Sequence, residues 1–219
     1  GAVAALVALA GPEGAFRGFT GEPDAGTTTD AVVALGAAAN RGIDVAAPTD
    51  DALAYLEGAA AGYAASGQGQ AAKLALAALA AGEEPRAFAG LDLVALAAGA
   101  ATGGPTPVAG LPGVYGDDLY DHALVLLALA GAGEPIPAEA VAAVRDRQLP
   151  NGSWAFDGSG DEAAGDSNTT ALLIQALVAT GHGGGPAVAR ALDYLRSVQT
   201  AGGGFAFAAA EPLVADANS

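Results

Sequence analysis

Two stretches about fifty residues apart carry the same pattern, and that recurrence restricts the fold more than any other feature of the chain. Gln148-Leu149-Pro150-Asn151-Gly152-Ser153-Trp154 and Gln199-Thr200-Ala201-Gly202-Gly203-Gly204-Phe205 both read Gln, three residues, Gly, one residue, aromatic. Each is followed by a second aromatic, Phe156 or Phe207, and then by an Asp-x-Asn-Ser/Thr step at Asp166–Thr169 or Asp216–Ser219. Self-similarity at such a period marks an array of supersecondary units, each too small to bury its apolar face alone. Ala10-x-x-x-Gly14-x-Phe16 and Ala109-x-x-x-Gly113-x-Tyr115 keep the spacing with Ala in place of Gln, and Gly62-Tyr63 reads as a shortened copy. The landmark aromatics are therefore Phe16, Tyr63, Tyr115, Trp154 and Phe205.

Apolar residues recur at i, i+3, i+4 and i+7 in stretch after stretch, which predicts helices near 2–10, 28–40, 49–61, 69–81, 87–101, 118–131, 137–148, 168–181 and 186–199. Caps are expected at Thr28 or Thr29, at Thr49 and at Ser167 or Asn168, with Pro137 and Pro186 in first turns. Gly11, Gly62, Gly82, Gly131 and Gly181 are expected to end helices. No window alternates as a strand should, so the short Gly-aromatic segments are expected to be extended without forming a sheet. The helix after each landmark is apolar nearly all round (Ala171–Leu177, Ala123–Leu129), whereas the one before is mixed (Arg190–Arg196). Helices of the first kind are buried and those of the second face solvent, which predicts two layers.

Charge narrows the partners. Lys73 and seven arginines stand against 24 carboxylates, a net charge of -16, so the basic footprint that nucleic acid requires is missing. Anionic lipid and diphosphate substrates lose weight for the same reason. There is no cysteine, hence no disulfide, no thiolate metal site and no cysteine nucleophile. Ala2–Ala10 is too short to span a bilayer and lacks the basic segment of a signal peptide. No membrane span is expected.

Arg190-Ala191-x-x-Tyr194-Leu195-x-x-x-Gln199-x-x-x-Gly203-x-Phe205 resembles the QW repeat of squalene and hopene cyclases, a prenyltransferase/squalene oxidase repeat. The copy from Val144 through Gln148 to Trp154 matches it too. That repeat belongs to the α/α-toroid superfamily, with its terpene cyclases, prenyltransferase β subunits, complement thioester domains and cobalamin carriers. The resemblance implies an all-α fold over one domain, 1–219: an α/α toroid with two concentric layers of helices from pairs of about 40–50 residues. Gln148, Gly152, Trp154, Gln199, Gly203 and Phe205 are read as structural: Gln caps backbone groups, Gly allows a tight turn and the aromatic packs over it. A closed ring of this kind uses more helices than are predicted here, and the chain stops at Asp216–Ser219, where the earlier copy enters a helix. The ring is therefore expected to be open, or completed by a further chain segment or another copy.

The catalytic inventories of that superfamily fail one by one. The Asp-x-Asp-Asp acid of the cyclases is absent, and the prenyltransferase zinc and the thioester both need Cys. Glycosidase-like sites need carboxylate pairs beside aromatic platforms, and aromatics are only 5% of the chain. Cobalamin carriers stay allowed, so a hydrophobic or corrinoid small molecule is a candidate ligand.

Asp117, Asp118 and Asp121 spell Asp-Asp-x-x-Asp, and on a helix they would share a face able to bind a cation. The preferred reading is capping and dipole compensation. Asp157, Ser159 and Asp161 place oxygens at every second position, as a Ca²⁺ loop begins. Glu162 and Asn168 stand where an EF-hand wants Gly and Glu, so a solvated acidic loop is preferred and no cofactor is expected. His122 and His182 lie too far apart in sequence to suggest a pair. No catalytic residue is assigned. A ligand is expected at the loops opening the buried helices, at Asp117, Asp118, Asp166, Asn168, Asp216 and Asn218. The function expected is a non-enzymatic binding or building-block module, extracellular or at the cell surface. The alternatives are a terpene-cyclase fragment or a cobalamin-carrier-like domain.

Overall fold

The computed structural model describes residues 1–99, 113–210 and 212–216. The described residues are mostly α-helical, with a short 3₁₀ turn at Glu162–Ala164, one two-residue antiparallel pair and isolated bridges. It divides into two compact units, Gly1–Ala101 and Thr102–Ser219.

In the first unit the helices are α1 (Ala2–Val7), α2 (Ala25–Ala39), α3 (Ala46–Ala64), α4 (Gln68–Ala81) and α5 (Leu93–Ala97). The strongest packing is α2 on α4, with α3 set against both. Small residues let α2 and α4 close up: a Cβ added at Gly36 would overlap the carbonyl oxygen of Ala80. Leu35, Leu56 and Leu74 fill the space with no exposure, and burying each fully stabilises by about 1.5–3 kcal/mol. The six-residue α1 lays Val3, Leu6 and Val7 against Leu35, Ala38 and Val45.

The second unit holds α6 (Leu119–Gly131), α7 (Ala138–Asp146), α8 (Ser167–Ala179) and α9 (Pro186–Ser197). Here α6 packs on α8, and α9 against α8. Helix α6 buries eight of its residues, including Leu124, Val125 and Leu126 in succession. Helix α9 buries only Ala187, Val188, Ala191 and Tyr194, a single stripe. Between α6 and α9 this is the distinction expected from apolar residues all round against apolar residues on one side; α8, expected to be buried like α6, leaves Leu172 and Ile174 half-buried and Gln175 and Val178 exposed. We refer to α2, α4, α6 and α8 as core helices, and to α3, α7 and α9 as flanking helices.

Several boundaries differ from expectation, each for a local reason. Helix α2 starts at Ala25 because Asp24, not Thr28 or Thr29, is its cap. Helix α3 starts at Ala46, so Thr49 lies inside it and donates its hydroxyl to Val45 O at 2.8 Å. Asp166 rather than Ser167 or Asn168 caps α8. Gly62 and Tyr63 are neither a helix end nor a turn, because α3 runs through them to Ala64; Gly62 is exposed there with open space around it. Helix α1 stops at Val7, since Ala10 is taken into a bridge with Phe16. Of the helix expected over 87–101, only Leu93–Ala97 forms among the described residues. Ala89 (φ 51°) and Gly90 (φ 78°) reverse the chain so that Phe88 bridges Leu91, a conformation no helix can include. The segment after Trp154 does pair: Trp154–Ala155 lies antiparallel to Gly165–Asp166, contrary to the expectation of no sheet.

Candidate functional site

The two clear copies and the degenerate copy at Ala10 close the same turn. In each, the residue after the Gln (or Ala) position donates its N–H four residues on, and the turn glycine donates back to that residue. These are Gly11 to Ala15 and Gly14 to Gly11, Leu149 to Ser153 and Gly152 to Leu149, Thr200 to Gly204 and Gly203 to Thr200, all between 2.8 and 3.0 Å. Gly14, Gly152 and Gly203 have φ of +79°, +91° and +92°, and Gly113 has +78°. Side chains with a Cβ pay roughly 1–2 kcal/mol there. The copy beginning at Ala109 starts outside the described residues. Its Gly113 and Tyr115 are described, and Tyr115 is buried.

Both glutamines bond to backbone carbonyls. Gln148 donates to Gly152 O at 3.0 Å and to Ala187 O at 2.7 Å, and the Arg190 guanidinium donates to Gln148 Oε1. Gln199 donates to Gly203 O at 3.0 Å. Trp154 is fully buried and its indole N–H meets Val144 O at 2.7 Å.

Phe16, Tyr115 and Trp154 are then tied to the next core helix by their backbone N–H groups. Phe16 N–H donates to Thr28 Oγ1 at 2.9 Å, Tyr115 N–H to His122 Nδ1 at 2.9 Å and Trp154 N–H to Thr170 Oγ1 at 3.1 Å. All three acceptors sit four residues after a capping aspartate. Asp24, Asp118 and Asp166 accept the N–H of Thr27, Asp121 and Thr169 at 2.6, 2.8 and 2.7 Å. Thr28, His122 and Thr170 were not singled out as partners in the sequence. The shared Asp-x-x-x-Thr/His spacing is the signal that could have found them. Because a backbone N–H can only donate, His122 Nδ1 is the acceptor and Nε2 carries the proton given to Ala140 O at 2.9 Å. Burial holds this imidazole down at about 4.

The expected ligand residues gather at the N-terminal ends of α6 and α8. Leu119 N–H donates to Phe156 O at 3.0 Å and Ser167 N–H to Phe207 O at 2.8 Å, so each second aromatic ties back to the preceding core helix. Tyr120 and Phe156 place their rings 6.3 Å apart. Asn168 Nδ2 donates to Asp216 Oδ2 at 3.2 Å, which brings those two candidates together. Asn218 lies outside the described residues. Asp166 Oδ2 and Ser167 Oγ are buried with no hydrogen-bond partner among the described residues.

Asp117, Asp118 and Asp121 do not share a helix face, because α6 begins only at Leu119: Asp118 is the cap and Asp117 precedes it. Burial, then the charge of Asp118, pushes the Asp121 carboxyl up to about 6. Asp118 is raised as well, by burial first. Asp157 and Asp161 accept the N–H groups of Ser159 and Ala163 at 2.9 and 3.0 Å, so the acidic loop spends these oxygens on its own backbone. Among the described residues no three His, Cys, Asp or Glu side chains converge as a metal site would require. The two histidines stay apart in role: exposed His182 faces the Thr180 hydroxyl at 3.3 Å. With Arg145 and Arg190 it lines a concavity of about 400 Å³ at the start of α9. No described helix is long and apolar enough to cross a membrane.

Comparison with protein-family models, with curated proteins and with solved structures finds no match.

Proposed function

We propose that the chain is a non-catalytic repeat module of the α/α-toroid type, exported or held at the cell surface, which binds a partner or builds a larger helical assembly. The observation that carries this reading is how the candidate polar groups are used. Asp118 and Asp166 accept hydrogen bonds from backbone N–H groups of their own helices, and Gln148 and Gln199 donate to backbone carbonyls of their own turns. Such bonds position the fold rather than a substrate, although Asp166 Oδ2 has no hydrogen-bond partner among the described residues. Asp121 supports the same reading. An acid that protonates an alkene must be much stronger than an ordinary carboxylic acid, and burial makes Asp121 weaker. The exposed halves of Phe156 (51%) and Phe207 (53%) are the apolar surface such a module would offer.

The test is incubation of the purified chain with squalene and with geranylgeranyl diphosphate, followed by gas chromatography of the extract. No cyclised product is expected. Product that forms with the wild type and disappears in Asp121→Asn would overturn the non-catalytic reading. Protease shaving of intact cells of the source organism tests the location, with loss of the chain from the cells as the expected result.

A further inference from the structure

Cationic side chains are scarce in this chain, and carboxylates hold four of them. Arg17 lies 3.5 Å from Glu13, Lys73 2.8 Å from Asp30, Arg86 3.4 Å from Asp92 and Arg196 2.6 Å from Asp193. Arg145 and Arg190 have no such neighbour. The Arg145 guanidinium, in the last turn of α7, has no partner among the described residues. The Arg190 guanidinium, in α9, bonds only to the neutral amide oxygen of Gln148, which uses one of its five N–H groups. Both line, with His182, the concavity of about 400 Å³ between the end of α8 and the start of α9. Thr180 meets His182 Nδ1 at 3.3 Å, and Nε2 has no partner among the described residues. No acidic residue lines this space, in a chain where Asp and Glu outnumber Lys and Arg by 24 to 8. The rest of its wall is of two kinds. Glycines of the Gly181–Gly185 loop bring backbone with no side chain in the way, and Leu177, Pro186 and Ala187 bring apolar carbon.

We infer that this concavity binds a small soluble phosphomonoester, with the phosphate among Arg145, Arg190 and His182 and the carbon body on Leu177, Pro186 and Ala187. Two guanidinium groups with no carboxylate beside them make the space locally positive, and an anion supplies the missing charge. A phosphomonoester carries about -1.5 to -2 at neutral pH and three acceptor oxygens, so it answers two guanidinium forks and an imidazole better than a singly charged carboxylate does. The volume lies within the roughly 300–1,000 Å³ of small-molecule sites, and the apolar wall gives the carbon body its place. The net charge of -16 keeps the chain from anionic lipid surfaces and nucleic acid, so the phosphate arrives on a small molecule in solution. That charge excludes a wide basic footprint but not one local pair of arginines. The inference goes beyond the repeat-module reading and does not rest on it, so failure of the binding test leaves the turnover and location assays standing.

The probes are phenyl phosphate, benzoate and inorganic phosphate, each titrated into the ¹⁵N-labelled full chain at constant ionic strength. Saturable shifts are expected with phenyl phosphate at the backbone N–H groups of His182, Gly184, Gly185 and Ala187 and at the Nε–H of Arg145 and Arg190. Phenyl phosphate should bind about 10-fold tighter than benzoate, which keeps the ring with one charge, and than inorganic phosphate, which lacks the ring. Arg145→Gln should weaken phenyl phosphate about 10-fold or more, the usual effect of losing a charged hydrogen bond, and should leave the thermal midpoint unchanged because that guanidinium holds nothing in the fold. Arg196→Gln removes the same charge elsewhere on α9 and should leave the affinity unchanged. Absence of saturable shifts at millimolar phenyl phosphate would overturn the proposal. So would an Arg145→Gln effect no larger than that of Arg196→Gln, which would reduce binding to net charge. Benzoate or inorganic phosphate binding as tightly as phenyl phosphate would overturn the phosphomonoester assignment. Co-sedimentation with vesicles containing phosphatidic acid would overturn the soluble ligand, since a lipid headgroup would then be the source of the phosphate.

Discussion

The turns at Gln148 and Gln199 have the same hydrogen bonds and the same left-handed glycine, but their surroundings differ. The first has α9 against its glycine and a wholly buried Trp154; among the described residues the second has neither, and Phe205 is only part-buried. Turn geometry therefore forms from local backbone chemistry, while burial of the aromatic comes with the flanking helix that closes over it. A pair of equivalent substitutions in the two turns separates these contributions within one molecule.

The widest difference is expected at the aromatic. Trp154→Ala removes the largest fully buried side chain and leaves Val144 O without its indole donor. It should cost about 3–5 kcal/mol, against about 1 kcal/mol for Phe205→Ala, read from urea denaturation midpoints. Equal losses would mean that Phe205 is as well packed as Trp154. The glycines come next. Gly203→Ala meets only the backbone penalty of about 1–2 kcal/mol, whereas Gly152→Ala adds overlap with the Arg190 backbone and should approach about 3 kcal/mol in all. The excess at Gly152 should fall toward zero if α9 can slide away from the turn.

Much of this was legible in the sequence. Helices α4, α6, α8 and α9 fall close to their expected ranges because glycine and proline punctuate an unbroken apolar rhythm. The Gln–Gly–aromatic spacing located both turns. What escaped reading has a common physical cause. A helix starts where a side chain caps it, which can precede the apolar rhythm by several residues, as Asp24 does for α2. The partners of the aromatic N–H groups, Thr28, His122 and Thr170, lie 7 to 16 residues downstream. Loops of changing length hide that pairing, and only the capping aspartate four residues earlier marks it. Gly62 misled because glycine on an exposed helix face costs only about 0.5–1 kcal/mol relative to Ala. The expected cation face of Asp117, Asp118 and Asp121 failed with the helix start, which a capping residue had shifted.

His122 sharpens the comparison among the covered turns, since it does in one what threonine does in the other two. Burial lowers its pKa to about 4, below the 6.5 of the unfolded chain, so unfolding takes up a proton as the pH falls between those values. The stability it contributes is present above pH 6.5 and lost as the pH drops toward 4, by up to about 3 kcal/mol. Asp121 acts in the opposite direction: its raised carboxyl binds a proton more readily in the folded chain, so stability is regained as the pH falls from about 6 toward 3.8. Denaturation midpoints of His122→Thr and Asp121→Asn across pH 4–7 divide the two. His122→Thr should flatten the acid-side loss, and Asp121→Asn should steepen it. A wild-type slope that survives His122→Thr would show that the imidazole is not the group losing stability.

The smallest difference is expected at the glutamines. Gln148→Ala loses the bonds to Gly152 O and Ala187 O and leaves Arg190 without its acceptor, whereas Gln199→Ala loses the bond to Gly203 O. At roughly 0.5–1.5 kcal/mol per hydrogen bond, less where water can replace it, the first should cost about 2 kcal/mol and the second about 0.5 kcal/mol. A double-mutant cycle with Arg190→Ala tests the origin of the excess. Coupling of at least about 0.5 kcal/mol between Gln148 and Arg190 is expected, with none between Gln199 and Arg190. Coupling near zero for both pairs would reduce the Arg190 contact to a surface bond of no consequence. The larger cost of Gln148→Ala would then lie in the amide bond to Ala187 alone.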